Sequence, residues 1–164
     1  MTQNEFIVGM LKQNGQMVPM TLGDFTDQEM LVRPVPGANH VAWQLGHLIG
    51  SERWFVELFK PGSMPALPAG FEQKYDQKTT TKVDDPSKFD SKQTLLELFA
   101  KVREGTCRVV AGMSQQELDK PSPEKIQRFA PVWGGVMAGQ AMHTTMHLGQ
   151  WQVVRRKLGK PILM

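Results

Sequence analysis

His143 and His147, four residues apart, are the side chains of this chain best spaced for metal chemistry. On a helix that spacing puts both imidazoles on one face, one turn apart. At 100° per residue, Val136, Gln140, Gln150, Trp151, Val154 and Leu158 share or flank that face, while Thr145, Gln152 and Arg156 lie opposite. The pair is therefore expected to point into apolar surroundings, where an unpartnered polar group costs roughly 1–3 kcal/mol. A cation would satisfy one nitrogen of each ring. Backbone or water partners would also do so, and the spacing alone leaves both readings open. A zincin motif is excluded, because Thr144 stands where that motif carries its general-base glutamate.

His47 adds weight to the metal reading. It lies beside a helical seam of Val41, Leu45, Leu48, Phe55, Val56 and Phe59, flanked by Trp43, Trp54 and Leu58. A facing helix could meet it there. Three histidines from two helices match the ligand count of an open site that leaves positions for water or substrate, and nickel, zinc and iron all suit imidazole ligands. His40 is two turns before His47, ~10.5 Å along the axis, too far to share an ion. It reads as a residue near the helix start, with the mouth of a pocket as the alternative.

Two further polar residues are candidates for supporting catalytic roles. Glu52 falls in the centre of the second helix's apolar seam and must be paired or protonated there. It reads as a structural ion pair with an Arg or Lys, or as a group supporting the site or acting as general base. Gln150, one turn beyond His147, could bond a ligand imidazole or simply pack. Cys107 reads as a small buried hydrophobe. The Trp43, Trp54 and Trp151 cluster reads as core, as a cavity wall, or as both.

Four amphipathic segments must position these groups. The first spans about Thr2 to Gly23; Pro19 should kink or break it, with Gly15 relieving the clash. Thr26 and Glu29 are spaced as a capping box. Asn39 is expected to cap a second helix ending near Phe59. Periodicity is lost from Lys60 to Asp90, a stretch long enough to be a lid, a crossover connection, or both. Asp90 or Ser91 caps a third helix with the stripe Leu95, Leu98, Phe99, Val102, Thr106, Val109, Val110 and Met113. Ser114 and Glu117 mark another capping-box turn, and a fourth helix runs from about Gly134 to Leu158. The expected fold is one all-α domain over 1–164, a four-helix bundle.

The chain's 164 residues suffice for a core without disulfides, and its single cysteine excludes an internal one. A diffuse charge of +3 argues against a nucleic-acid interface. With no apolar stretch of ~20 residues and no basic-then-apolar start, no membrane span or signal segment is expected, and a cytoplasmic location is.

The run Trp43-Gln44-Leu45-Gly46-His47-Leu48 resembles the first histidine motif of the DinB (YfiT-like) superfamily. His143-Thr144-Thr145-Met146-His147-Leu148-Gly149-Gln150 resembles its HxxxHxGQ motif, and Arg155 to Ile162 its helix-four ending. The resemblance implies an up-down-down-up bundle, one nickel-, zinc- or iron-like ion on His47, His143 and His147, and a homodimer. It also implies kinship with metal-dependent transferases and isomerases that use low-molecular-weight thiols such as bacillithiol, mycothiol or glutathione. The leading expectation is activation of such a thiol for attack on a small electrophile. The alternatives are a hydrolase using metal-activated water and a non-enzymatic metal-binding stress-response protein.

Overall fold

The structure, a computed structural model, describes residues 1–76 and 82–163. Four long helices dominate it: α1 (Gln3–Leu22), α2 (Val41–Phe59), α4 (Lys92–Ala111) and α7 (Trp133–Lys157). Three short ones, α3 (Phe71–Lys74), α5 (Gln115–Asp119) and α6 (Glu124–Gln127), lie in the connections. No strand occurs among the described residues, only an isolated bridge between Pro121 and Val132. No helix among them is long and apolar enough to cross a membrane.

The caps explain most of the boundaries. Thr2 with Glu5, and Ser114 with Glu117, form capping boxes at α1 and α5. Thr26 and Glu29 exchange the same pair of bonds, at 2.7 and 3.1 Å, over a 3-10 turn. Ser91 rather than Asp90 caps α4, accepting from the Thr94 amide. At the far end of α7, Gly159 takes φ +68°. Its amide donates to Arg156 O and that of Lys160 to Arg155 O, closing a Schellman motif.

Three local expectations are corrected. Pro19 does not break α1, which runs on to Leu22. Pro19 has no amide to donate to Gly15 O, and α1 carries that one lost bond, with Pro19 O accepting from the Gly23 amide at 2.8 Å. Gly15 also makes room for another side chain, because a Cβ there would meet Arg103 Cγ at 3.2 Å. Asn39 does not cap α2. His40 does, with Nδ1 accepting from the Trp43 amide at 3.0 Å, while Asn39 O accepts from Gln44 Nε2 at 2.6 Å. Finally, Gln152 is buried, because the chain after Gly159 folds back on α7 and Leu163 N donates to its Oε1.

Paired contacts fix the topology. Asn4 at the start of α1 bonds Ala111 O and Met113 O at the end of α4, so these helices are antiparallel. Asn14 meets Thr145, and Arg155 meets Thr21 O, so α7 runs with α1. Phe59 packs on Trp133 while Gln44 bonds His147, so α2 opposes α7 and runs parallel to α4. The bundle is up-down-down-up. Parallel neighbours require the chain to return the full ~28 Å of α2 at 1.5 Å per residue. That return is the Lys60–Asp90 crossover.

The described part of the crossover is strapped to the bundle. Glu57 accepts from the Gly62 and Met64 amides at 2.7 and 2.8 Å, and Arg53 donates to Pro65 O. Tyr75 OH donates to Asp90 Oδ2 at 2.9 Å. Its ring lies so close to Gly46 that a Cβ there would stand 2.2 Å from it. Residues 77–81 of the stretch expected as a lid lie outside the described residues.

One buried knot ties all four long helices together. Arg103 of α4 donates from Nε and Nη2 to both oxygens of Glu52 on α2, at 2.8–3.2 Å. Nη1 donates to Leu11 O and Asn14 Oδ1 on α1, and Nη2 also to Thr144 Oγ1 on α7. The guanidinium rests over the Phe99 ring at 5.0 Å. All five of its N–H donors are thereby used.

Candidate metal centre

The knot adjoins the histidines: Thr144 is next in sequence to His143, and the Glu52 carboxylate acts on that ring. His47 comes from α2, and His143 and His147 from successive turns of α7. One ligand-type nitrogen from each ring lies within 4.8 Å of the other two. Among the described residues, no other group of three or more His, Cys, Asp or Glu side chains clusters this way. The His47 ring centroid is 5.1 Å from that of His143 and 5.9 Å from that of His147.

Two of the three rings are held from behind. Trp43, one turn before His47 on α2, stacks on its imidazole with centroids 4.9 Å apart and planes within 8°. Gln44 Oε1 accepts from Trp151 Nε1 at 2.8 Å and lies 2.9 Å from His147 Nδ1. Indole N–H only donates, so the amide oxygen must face it, and Gln44 Nε2 is anchored on Asn39 O. An oxygen only accepts. His147 therefore carries its proton on Nδ1, and its Nε2 presents a lone pair.

That lone pair faces His143 Nε2 at 3.3 Å. With His147 Nε2 as acceptor, a bond between the two rings takes its proton from His143 Nε2. Two nitrogens bound to one ion at ~2.0–2.1 Å in tetrahedral directions would stand about 3.3–3.4 Å apart. The separation, the fixed tautomer and the all-imidazole donor set thus fit a borderline divalent ion in place of the shared proton.

Burial keeps the rings neutral. It lowers His47 to a pKa of about 4, helped by the neighbouring His143. His147 falls to about 3, again through burial and then the other two imidazoles. His143 is also lowered by burial, against the opposing pull of the Glu52 carboxylate. Unprotonated imidazole is the form that binds a cation.

The remaining candidates are not members of the cluster. Glu52, only 2% exposed, has both oxygens committed to Arg103, the structural ion pair of its two readings. Gln150 is on the exposed side of α7, and the bond to a ligand imidazole comes from Gln44 instead. His40 is a buried cap whose Nε2 donates to Val83 O at 3.1 Å; burial lowers it to about 4. Cys107 is buried, which pushes its thiol pKa up. Trp43 and Trp151 are core, but Trp54 is 45% exposed and walls a cavity.

Two cavities adjoin the cluster, sharing His47 and Ser51. One, of about 530 Å³, lies under the crossover and is bordered by Trp54, Phe71, Glu72, Tyr75 and Asp76. The other, of about 410 Å³, opens between α2, α7 and the loop after α6, and is also lined by His143.

An all-α bundle of this topology, with three imidazoles converging beside two cavities, defines the class. The profile of the DinB superfamily matches residues 10–151, and the chain belongs to that superfamily. That match takes in all three histidines and the crossover. No curated protein matches the chain.

Sequence reasoning missed Gln44, Arg103 and Thr144. Each of the first two carried a signal. Arg103 is a lone cation inside the α4 apolar stripe, facing an equally isolated Glu52. Gln44 is a polar residue on the apolar arc of α2, three before His47.

Proposed function

We propose that the protein binds one nickel, zinc or iron ion through His47, His143 and His147, and uses it to transfer a low-molecular-weight thiol to a small electrophile. The observation that carries this reading is the convergence of three neutral imidazoles beside two cavities, both lined by His47 and one also by His143. Two cavities suit a reaction of two substrates. When bound, the ion would supply Lewis acidity, which lowers a thiol's pKa and makes thiolate available at neutral pH.

The chain's own residues do the rest. Trp43 and Gln44 hold the His47 and His147 rings in place, so little ordering cost remains when an ion binds. Ser51 borders both cavities and offers one hydroxyl to either substrate. The thiol sulfur would form a bond to the electrophilic carbon, the bond to the leaving group would break with its electron pair, and the thiol proton would depart with that group. The apolar walls keep competing water away from the electrophile. A homodimer is part of the same reading, tested by light scattering on the untagged chain.

The test is to titrate cobalt-loaded protein with bacillithiol, mycothiol and glutathione, and to assay each with model electrophiles. A sulfur-to-cobalt charge-transfer band and thiol-dependent turnover are expected with at least one thiol. Turnover that needs no thiol would assign the site to hydrolysis. Stoichiometric metal with neither band nor turnover would overturn the transferase reading.

A further inference from the structure

The cavity of about 410 Å³ differs in chemistry from its neighbour under the crossover. Phe55, Phe129, Val136, Met142 and Met146 supply its bulky apolar wall, and no Lys, Arg, Asp or Glu lines it. Its volume falls in the ~300–1,000 Å³ range of small-molecule sites. Two features mark it as built for an occupant. Gly139 lines it, and a Cβ placed there would meet nothing within 4 Å, so α7 leaves open space where any other residue would project. Gln140, one turn before His143, also lines it. Its Nε2 donates to Val136 O at 2.9 Å, but its Oε1 is buried with no partner. Buried acceptors are normally satisfied.

We propose that this cavity binds a neutral, largely apolar organic molecule that directs one N–H or O–H donor to Gln140 Oε1. The part of the cavity lined by His47 and His143 receives the atom to be transformed. Calling the molecule a substrate rests on the metal reading above; its binding does not. An anion is disfavoured, because the wall offers no charge to replace its hydration and the unpaired amide oxygen would repel it.

N-phenyl-1-naphthylamine is a neutral apolar fluorophore with one N–H, and 8-anilino-1-naphthalenesulfonate is the same skeleton carrying an anion. Both are titrated into metal-free, full-length protein and followed by emission. The neutral probe is expected to saturate one site at least tenfold more tightly than the sulfonate. Gly139→Leu, which fills the open space, should weaken it tenfold or more, and Gly139→Ala should leave it within twofold. Gln140→Leu should weaken it several-fold, which keeps the test decisive if Gly139→Leu does not fold.

Equal affinity for the two probes, or no effect of both Gly139→Leu and Gln140→Leu, would overturn the proposal. So would probe binding that falls as protein concentration rises, which would assign the face to a second copy of the chain. Cobalt titration is run alongside. Cobalt binding without probe binding overturns this assignment alone, and probe binding without cobalt binding overturns only the metal reading.

Discussion

Gln44 Oε1 stands 2.9 Å from His147 Nδ1, and the same oxygen accepts from the indole of Trp151. This bond decides which nitrogen of His147 faces the other histidines. Gln44→Leu removes the acceptor, frees the ring to flip, and should weaken cobalt binding by about 10–100-fold. Gln44→Glu keeps an acceptor for His147 and should lose much less. The visible absorption of cobalt during titration reports both affinity and ligand geometry. Equal affinity and an identical spectrum in Gln44→Leu would remove Gln44 from the site.

The Glu52–Arg103 pair holds the four helices around the centre, and removing one partner strands the other charge. Arg103→Leu should cost about 3–5 kcal/mol of stability, while Glu52→Leu with Arg103→Leu together should cost far less than the sum of the single changes. Urea unfolding of the four variants of the cycle measures this. Additive losses would mean that the pair is not coupled.

Acid should destabilise the metal-free protein over a defined window. His40 and His47 are lowered to about 4 and His147 to about 3, against an unfolded value near 6.5. Above pH 6.5 the rings are neutral in both states and folding carries no proton penalty. As pH falls below that value the unfolded chain takes up protons that the folded one refuses, so stability drops progressively toward pH 4. A metal bound only by the folded chain adds stability at neutral pH. Thermal midpoints between pH 8 and 4, with and without zinc, test the sign. A midpoint that stays level from pH 6.5 to 4 would contradict it.

Gly46 is small because Tyr75 lies on it. Gly46→Ala puts a methyl group 2.2 Å from the ring, which must displace Tyr75 from the cavity wall and from Asp90. A loss of about 1–3 kcal/mol is expected, with altered tyrosine fluorescence as a second readout. No change in either would show that the crossover shifts freely.

The motif Trp43-Gln44-Leu45-Gly46-His47 can now be read residue by residue: a stacking partner for His47, a clamp for His147, a core leucine, a seat for Tyr75, and the ligand itself. The other two histidines were legible early, because helical spacing alone puts His143 and His147 on one face. The four helices were legible for the same reason, their apolar periodicity being strong and their caps ordinary. Tertiary partners were not. Glu52 announced that it needed a cation, but several Arg and Lys could have met it, and only the bundle's topology selects Arg103.

The cap of α2 shows a second limit. Asn39 has the better propensity, yet His40 Nδ1 is an equally competent acceptor once burial holds the ring neutral. Gln150 shows a third. Its spacing from His147 is right for contact, but α7 turns that side to solvent and the site takes its amide from α2.

The binding of one divalent ion by His47, His143 and His147 is tested most directly by metal analysis of untagged protein. The native chain is compared with His143→Ala after both are equilibrated with equal zinc and desalted. The native chain should retain about one equivalent, and His143→Ala should retain a small fraction of that with its helical content intact. Equal metal in the two proteins would contradict the centre as described.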